Sequence, residues 1–193
     1  MNKDFVIKGH ICYSQDKTTL KVYESSYLVC VNGKSKGIFE NLPSEYKDLP
    51  LKDYGDKLII PGMVDLHVHA PQYAFRGMCM DLELMDWLNQ YTFPEEEKYT
   101  NLDYAKKAYS IFTNALKKSA TTRACIFATR HRDATVLLME LMEETGLVSY
   151  VGKVNMDREA SKALIEESAE ASAYNTFGWI NSVNNKFQNT KPI

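Results

Sequence analysis

Residues Pro61-Gly62-Met63-Val64-Asp65-Leu66-His67-Val68-His69 decide how this chain folds. Pro-Gly is turn chemistry, the apolar residues behind it have β character, and two histidines close the run two positions apart. Alternate side chains of a strand share a face, so His67 and His69 are expected on one side with Cα atoms roughly 6.5 to 7 Å apart. Two imidazoles placed that way converge on a single cation. Asp65 has the same parity, and is read either as a group that orients a ligand from deeper in the strand or as a polar core residue. A catalytic metal site takes three or more protein ligands and an open position, so the H-x-H pair by itself does not complete one.

Downstream of this run, strand and helix patterns alternate, which is the grammar of a parallel sheet with helical crossovers. Residues 63–68 form the first strand, and helical patterning resumes over 82–91. A longer helix is predicted over 102–118, where Leu102, Ala105, Tyr109, Phe112 and Leu116 make one apolar face. Residues 122–128 are the second strand, and Asp133 is expected to cap a helix that stops at Gly146. A third strand over 147–151 leads to a helix over about 159–187, and Lys191-Pro192-Ile193 stands where a fourth strand should begin. In a barrel built this way the histidine pair sits at the C-terminal mouth of the first strand, where active sites lie.

Upstream, the pattern is β throughout. Residues 5–11, 20–23 and 27–31 read as short antiparallel strands, with Asn32-Gly33 as a hairpin turn before Gly37-Ile38-Phe39. The polar stretch 41–56, which holds Pro43 and Pro50, reads as a connection and places a domain boundary near residue 60.

With 23 basic against 25 acidic residues, the 193-residue chain carries neither a nucleic-acid footprint nor the charge of an anionic-membrane binder. No run approaches the roughly 18 to 20 apolar residues of a membrane helix, and Met1-Asn2-Lys3-Asp4-Phe5 lacks the layout of a signal peptide. A soluble, cytoplasmic protein is expected. Cys12, Cys30, Cys79 and Cys125 show no C-x-x-C spacing and are read as reduced, packed thiols. The charge run Glu95-Glu96-Glu97-Lys98 is read as a solvated helix turn.

The first-strand run resembles the signature of the amidohydrolase superfamily, and within it the guanine deaminase family. The distinguishing stretches are His69-Ala70-Pro71-Gln72-Tyr73-Ala74-Phe75 and Asp86-Trp87-Leu88-Asn89-Gln90-Tyr91-Thr92-Phe93-Pro94-Glu95. Thr121-Thr122-Arg123-Ala124-Cys125-Ile126-Phe127-Ala128-Thr129 and Gly152-Lys153-Val154-Asn155-Met156-Asp157 are similar to the same family's second and third barrel strands. The resemblance implies an α/β fold: a small antiparallel β-sandwich segment over 1–60, then the first three βα units of a TIM-like barrel over 61–193, ending before the fourth strand.

It further implies that His67 and His69 bind zinc, one ion per complete site, and that His69, Ala70, Pro71 and Gln72 line a purine pocket. Gln72 is then the reader of the base edge, because an amide donates and accepts at once. Trp87 is either a wall of that pocket or a core residue. The implied reaction is hydrolysis of guanine to xanthine and ammonia, in purine catabolism, by a homodimer that binds neither nucleic acid nor membrane.

The family's remaining metal ligands, its proton shuttle and further base-reading residues come from later strands, so no catalytic residue is expected within this chain and the chain alone is expected to be inactive. His10 lies in the opening β region, and His131 stands between Arg130 and Arg132, whose charges disfavour another cation. Arg123 on a barrel strand needs a partner if it is buried. Three strands of the eight that close a barrel leave sheet edges open, which predicts weak folding or aggregation. Two imidazoles suit Zn, Fe, Ni or Cu alike. Two other readings stay open: a superfamily aminohydrolase acting on a different heterocycle, and a non-catalytic binding or scaffold relative.

Overall fold

The computed structural model describes residues 3–193, so the expectation for Met1 and Asn2 lies outside the described residues. The chain divides into two compact units, one ending at Pro61 and the other beginning at Gly62.

In the first unit, β1 (Phe5–Ser14), β2 (Leu20–Val31), β3 (Lys34–Phe39) and β4 (Leu51–Ile59) form one sheet in the order β3-β2-β1-β4. Asn32 and Gly33 both adopt positive φ, 54° and 72°, as the tight hairpin between β2 and β3 requires. The two strands expected over 20–23 and 27–31 are one strand, interrupted where the register shifts between Gly9 and Ile11 of its partner β1 and where Ser25 takes φ 44°.

A second correction concerns β4, which occupies part of the stretch expected to be a connection and pairs with β1 in parallel, not antiparallel. Its polar sequence is that of an edge strand: Lys52, Asp53, Asp56 and Lys57 keep the free edge charged, and Asp53 pairs with Lys8 at 3.3 Å. Charge on a strand reads as loop when the edge position is unknown.

In the second unit β5 (Met63–His69), β6 (Thr121–Phe127), β7 (Val148–Gly152) and β8 (Thr190–Pro192) run parallel in sequence order. The chain therefore does enter a fourth strand, three residues long, at the point where the sequence was expected to stop short of it. Gly62 is required at the head of β5, because a Cβ there would overlap the Thr122 side chain of β6.

Helices α3 (Leu102–Lys117) and α4 (Arg132–Thr145) cover one face of this sheet. Tyr109, Phe112, Leu138, Met139 and Met142 pack there against Ala124, Ile126 and Val151 of the strands. Phe112, Leu138, Met139 and Met142 each contribute about 1.5 to 3 kcal/mol on burial. Asn101 caps α3 by accepting from the Asp103 and Tyr104 N–H groups, and Gly146 ends α4 at φ 73°. The N-cap of α4 is His131; Asp133, expected in that role, lies in the first turn, where its charge still suits the helix dipole.

Two helices differ from their sequence patterns. Residues 82–91 hold only α1 (Leu84–Trp87), followed by a π-helical turn (Leu88–Thr92) that leads into α2 (Phe93–Glu97). Pro94 has no N–H to return to Gln90, and the widened turn accommodates that loss. The helix expected over 159–187 is α5 (Ala169–Val183), which starts where the Ser168 hydroxyl accepts from the Ala171 N–H. Residues 153–168 are irregular and are held by side chains instead.

Among the described residues no helix is long and apolar enough to cross a membrane, and the four cysteines are free thiols.

Candidate functional site

The histidine pair closes β5, and a bulge shapes it. Asp65 pairs with Ala124 and Val68 with Ile126, so β5 spends three residues where β6 spends two. The extra residue reverses the faces of Val64 and Asp65 relative to strict alternation from His69. Asp65 falls opposite Ala124, on the helix-packed side, whereas His69 falls opposite Phe127. Asp65 therefore does not share the histidines' face as strict alternation predicts. Its carboxylate accepts from the His67 backbone N–H at 3.1 Å and steadies the bulge.

His67 and His69 do meet. Their Nε2 atoms stand 3.2 Å apart, with ring centroids 5.1 Å apart and planes inclined by 52°. Two imidazole nitrogens on one tetrahedral cation at 2.0 to 2.1 Å are separated by about 3.3 Å, so the donor atoms are already at the spacing of a chelate. Two borderline nitrogen donors fit zinc, and among the described residues no third His, Cys, Asp or Glu joins them. Burial, and then the neighbouring charge of His67, holds the His69 imidazole below its ordinary pKa, which favours the neutral donor form.

His69, Phe127 and Gly152 lie in register at the C-terminal ends of three neighbouring strands. The Ala70 N–H donates to Phe127 O at 3.0 Å, and the Ala128 N–H to Gly152 O at 2.9 Å, so the ladder continues into the loops that leave the sheet. Ala70 and Pro71 are buried, and Pro71 O accepts from the Tyr99 hydroxyl at 3.2 Å. Both anchor the loop that leaves β5. Gln72 follows in a short 3-10 turn, half-buried, and its amide has no protein partner among the described residues. Trp87 is half-buried and packs on Phe75 with ring centroids 5.5 Å apart.

The other two histidines have partners of their own. His10 belongs to β1 of the first unit, where its Nδ1 accepts from the Ser25 N–H at 3.4 Å. His131 contacts the Thr100 hydroxyl, and burial, then the charge of Arg130, lowers its pKa. Arg123 is exposed and needs no buried partner.

The charge run 95–98 is not a solvated turn. Glu95 and Glu96 are buried, Glu95 taking hydrogen bonds from Lys98 and the Tyr104 hydroxyl, while desolvation pushes the Glu96 carboxyl up to about 7. The helix that carries them is short and its inner side faces Tyr99 and Tyr109, which a charge count cannot reveal.

Two features escaped the sequence reading. One is Phe127, whose ring touches both imidazoles; counting strand parity back from the C-terminal end of β6 would have found it. The other is Lys153, a charged residue directly after β7 whose ammonium is buried against Glu166. A lysine at the C-terminal end of a parallel strand was the available signal.

Comparison with known proteins bears on the family of the chain. The amidohydrolase family profile matches residues 58–184. The chain is 38% identical over 152 residues to a guanine deaminase of Rattus norvegicus, covering 78% of this chain and 33% of that protein. To the guanine deaminase of Escherichia coli it is 35% identical over 158 residues, covering 80% and 36%. It superimposes on the crystal structure of a guanine deaminase from C. acetobutylicum with guanine in the active site, with TM-score 0.91 and 41% identity, covering 98% of this chain and 45% of that one. The chain thus spans about a third of the length of these curated relatives. An α/β unit with a parallel sheet, a histidine pair at a strand's C-terminal end and a profile match over most of the second unit lead to one assignment: this chain belongs to the amidohydrolase family.

Proposed function

We propose that this chain supplies the first part of a zinc-dependent guanine deaminase, hydrolysing guanine to xanthine and ammonia. The observation that carries the reading is the 3.2 Å separation of the His67 and His69 Nε2 atoms at the C-terminal end of β5. Identity of 35% to 41% to guanine deaminases supports the choice of substrate.

In this reading residues 1–60 correspond to the N-terminal β-sandwich segment and 61–193 to the opening βα units of a TIM-like barrel. His67 and His69 hold the zinc. When bound, the ion supplies Lewis-acid activation of water at neutral pH. His69, Ala70, Pro71 and Gln72 form the base-facing loop: Ala70 and Pro71, both buried, fix its path, and the Gln72 amide is left free to donate and accept at the purine edge. A purine that lacks the matching edge leaves that amide unpaired, at a cost of about 1 to 3 kcal/mol. Lys153 and Glu166 hold the segment after β7 at the same end of the sheet. The proton shuttle lies outside this chain, so the chain alone is inactive. The complete protein is a cytoplasmic homodimer in purine catabolism, with no nucleic-acid or membrane partner.

Fusing this chain to the remaining two thirds of the E. coli relative and following xanthine formation, with and without zinc, tests the reading. Adenine, cytosine and 5-methylthioadenosine serve as competing substrates. Zinc-dependent xanthine formation from guanine, lost in His67→Ala, is the expected result. Ammonia released from another heterocycle, or turnover unaffected by His67→Ala, would overturn it.

A further inference from the structure

We propose that Phe127 is a positioning residue for the histidine pair, its ring being the wall that turns both imidazoles toward a single cation. The inference rests on the metal-site reading of His67 and His69 and assigns to Phe127 the task of setting the chelate's bite.

The contacts are specific to this side chain. The Phe127 ring lies 4.7 Å from that of His69 with the two planes within 12°, a stacked pair, and 4.6 Å from that of His67 at an inclination of 45°. One ring thus contacts both donors.

Such a wall is needed because the ring torsion of histidine is broad and roughly two-fold, so the side chain alone does not choose which edge of the ring faces its neighbour. A metal-bound imidazole is commonly oriented by a hydrogen bond at its other ring nitrogen. Here Asp65 spends its carboxylate on the His67 backbone N–H, and the described hydrogen bond that involves the two rings is the one between their Nε2 atoms. What orients the rings is aromatic contact.

Phe127 is itself well anchored. It closes β6, stands in register with His69 on one side and Gly152 on the other, and its carbonyl accepts from the Ala70 N–H. Its ring therefore refers the imidazoles to the sheet, and binding a cation then requires less ordering of the two side chains.

The test is a zinc titration of this chain fused to the remaining two thirds of the E. coli relative, with binding read by competition against a chelator of known affinity. Phe127→Leu removes the flat face and is expected to weaken zinc binding roughly tenfold, the low end for loss of an orienting partner. Phe127→Tyr keeps the face and should restore binding to within about twofold of the parent. Phe112→Leu, a core substitution away from the pair, should lower stability without changing zinc affinity. Should Phe127→Leu fail to fold, Phe127→Met, which fills similar volume with a flexible chain, takes its place and carries the same expectation.

Zinc binding by the parent and undiminished binding by the Leu or Met variant would overturn the role given to Phe127 and leave the metal site standing. Zinc binding by the parent fusion that is unchanged in its His67→Ala/His69→Ala variant would instead overturn the metal-site reading, and this inference with it.

Discussion

The ammonium of Lys153 donates to Glu166 Oε1 at 2.9 Å, with each side chain only 2% exposed. The same Nζ reaches Val154 O at 3.0 Å and Asn155 Oδ1 at 2.8 Å, while Glu166 Oε2 accepts from the Ser172 hydroxyl at 2.6 Å and the Met156 N–H at 3.2 Å. Burial raises the Glu166 pKa, and the hydrogen bonds from Ser172, Lys153 and Met156 outweigh it, so the carboxyl stays below its ordinary value. This network stands in for secondary structure over 153–168.

Breaking the pair on one side leaves a buried charge without its partner. Lys153→Met is expected to cost about 3 to 5 kcal/mol, read from the midpoint of urea unfolding. Pairing it with Glu166→Leu should recover much of that loss, because two apolar groups need no partners. A double variant no more stable than Lys153→Met alone would show that packing, not charge, holds the segment.

Glu96 sets a pH dependence of opposite sign to the usual carboxylate. It is 2% exposed, its Oε2 has no hydrogen-bond partner among the described residues, and desolvation raises its pKa from 4.5 to about 7. Between those values the unfolded chain has released the proton and the folded chain retains it, so stability falls as pH rises from 4.5 to about 7. The loss is on the order of 3 kcal/mol and is complete above that window. Glu96→Gln, which stays neutral, should match the parent at pH 4.5 and exceed it at pH 8. His131, whose depressed pKa acts in the other direction, is common to both proteins, so the difference between their pH profiles isolates Glu96. Parallel profiles would mean that Glu96 is ionised in the folded chain.

Glu143 ties the last strand to α4. Its carboxylate accepts from the backbone N–H groups of Gln188, Asn189 and Thr190 at 3.0, 2.9 and 2.9 Å. Burial opposes the charge and those N–H bonds outweigh it, lowering the pKa. The contribution to stability is therefore present above the ordinary carboxylate range and is lost as pH falls through the depressed folded value. Glu143→Ala removes a charged acceptor worth about 1.5 to 3 kcal/mol per hydrogen bond at most. Amide exchange at Thr190 and Ile193 should accelerate by roughly tenfold or more, while Ile126 in β6 keeps its protection. Equal acceleration at Ile126 would place β8 in one cooperative unit with the sheet.

What the sequence revealed and what it concealed divide along physical lines. Asn32-Gly33 and Gly146 declare their backbone conformations, because few other residues adopt positive φ cheaply, and both turns form as expected. The apolar period of α3 is likewise legible, and its expected end at residue 118 differs from the observed end at Lys117 by one position. Period alone could not register the bulge in β5, which moved Asp65 to the opposite face while leaving the two histidines together. Nor could it separate the irregular 153–168 stretch from α5, since a buried ion pair imposes no periodicity. The edge strand β4 and the buried Glu95 and Glu96 failed for a common reason: charge reports solvent only when the position of the element is known.

The histidine spacing leads to a prediction about metal and stability that needs no substrate. If His67 and His69 form a chelate, zinc binds the folded chain better than the unfolded one, where the two rings are not held at 3.2 Å. At a free zinc concentration about a hundred times the dissociation constant, the folded state gains about 2.7 kcal/mol, and a chelator should reverse the gain. The matching rise in Tm should disappear in the His67→Ala and His69→Ala variants. It should persist in His10→Ala and His131→Ala, because the His10 ring accepts from the Ser25 N–H and His131 is engaged with Thr100 beside Arg130. Persistence of the full rise in a His67→Ala/His69→Ala double variant would locate the bound zinc at another group, with the free thiols as the next candidates. A rise lost equally in all four single variants would indicate that the histidines act through overall folding. Only dependence on His67 and His69 alone joins the ion to the 3.2 Å pair at the C-terminal end of β5.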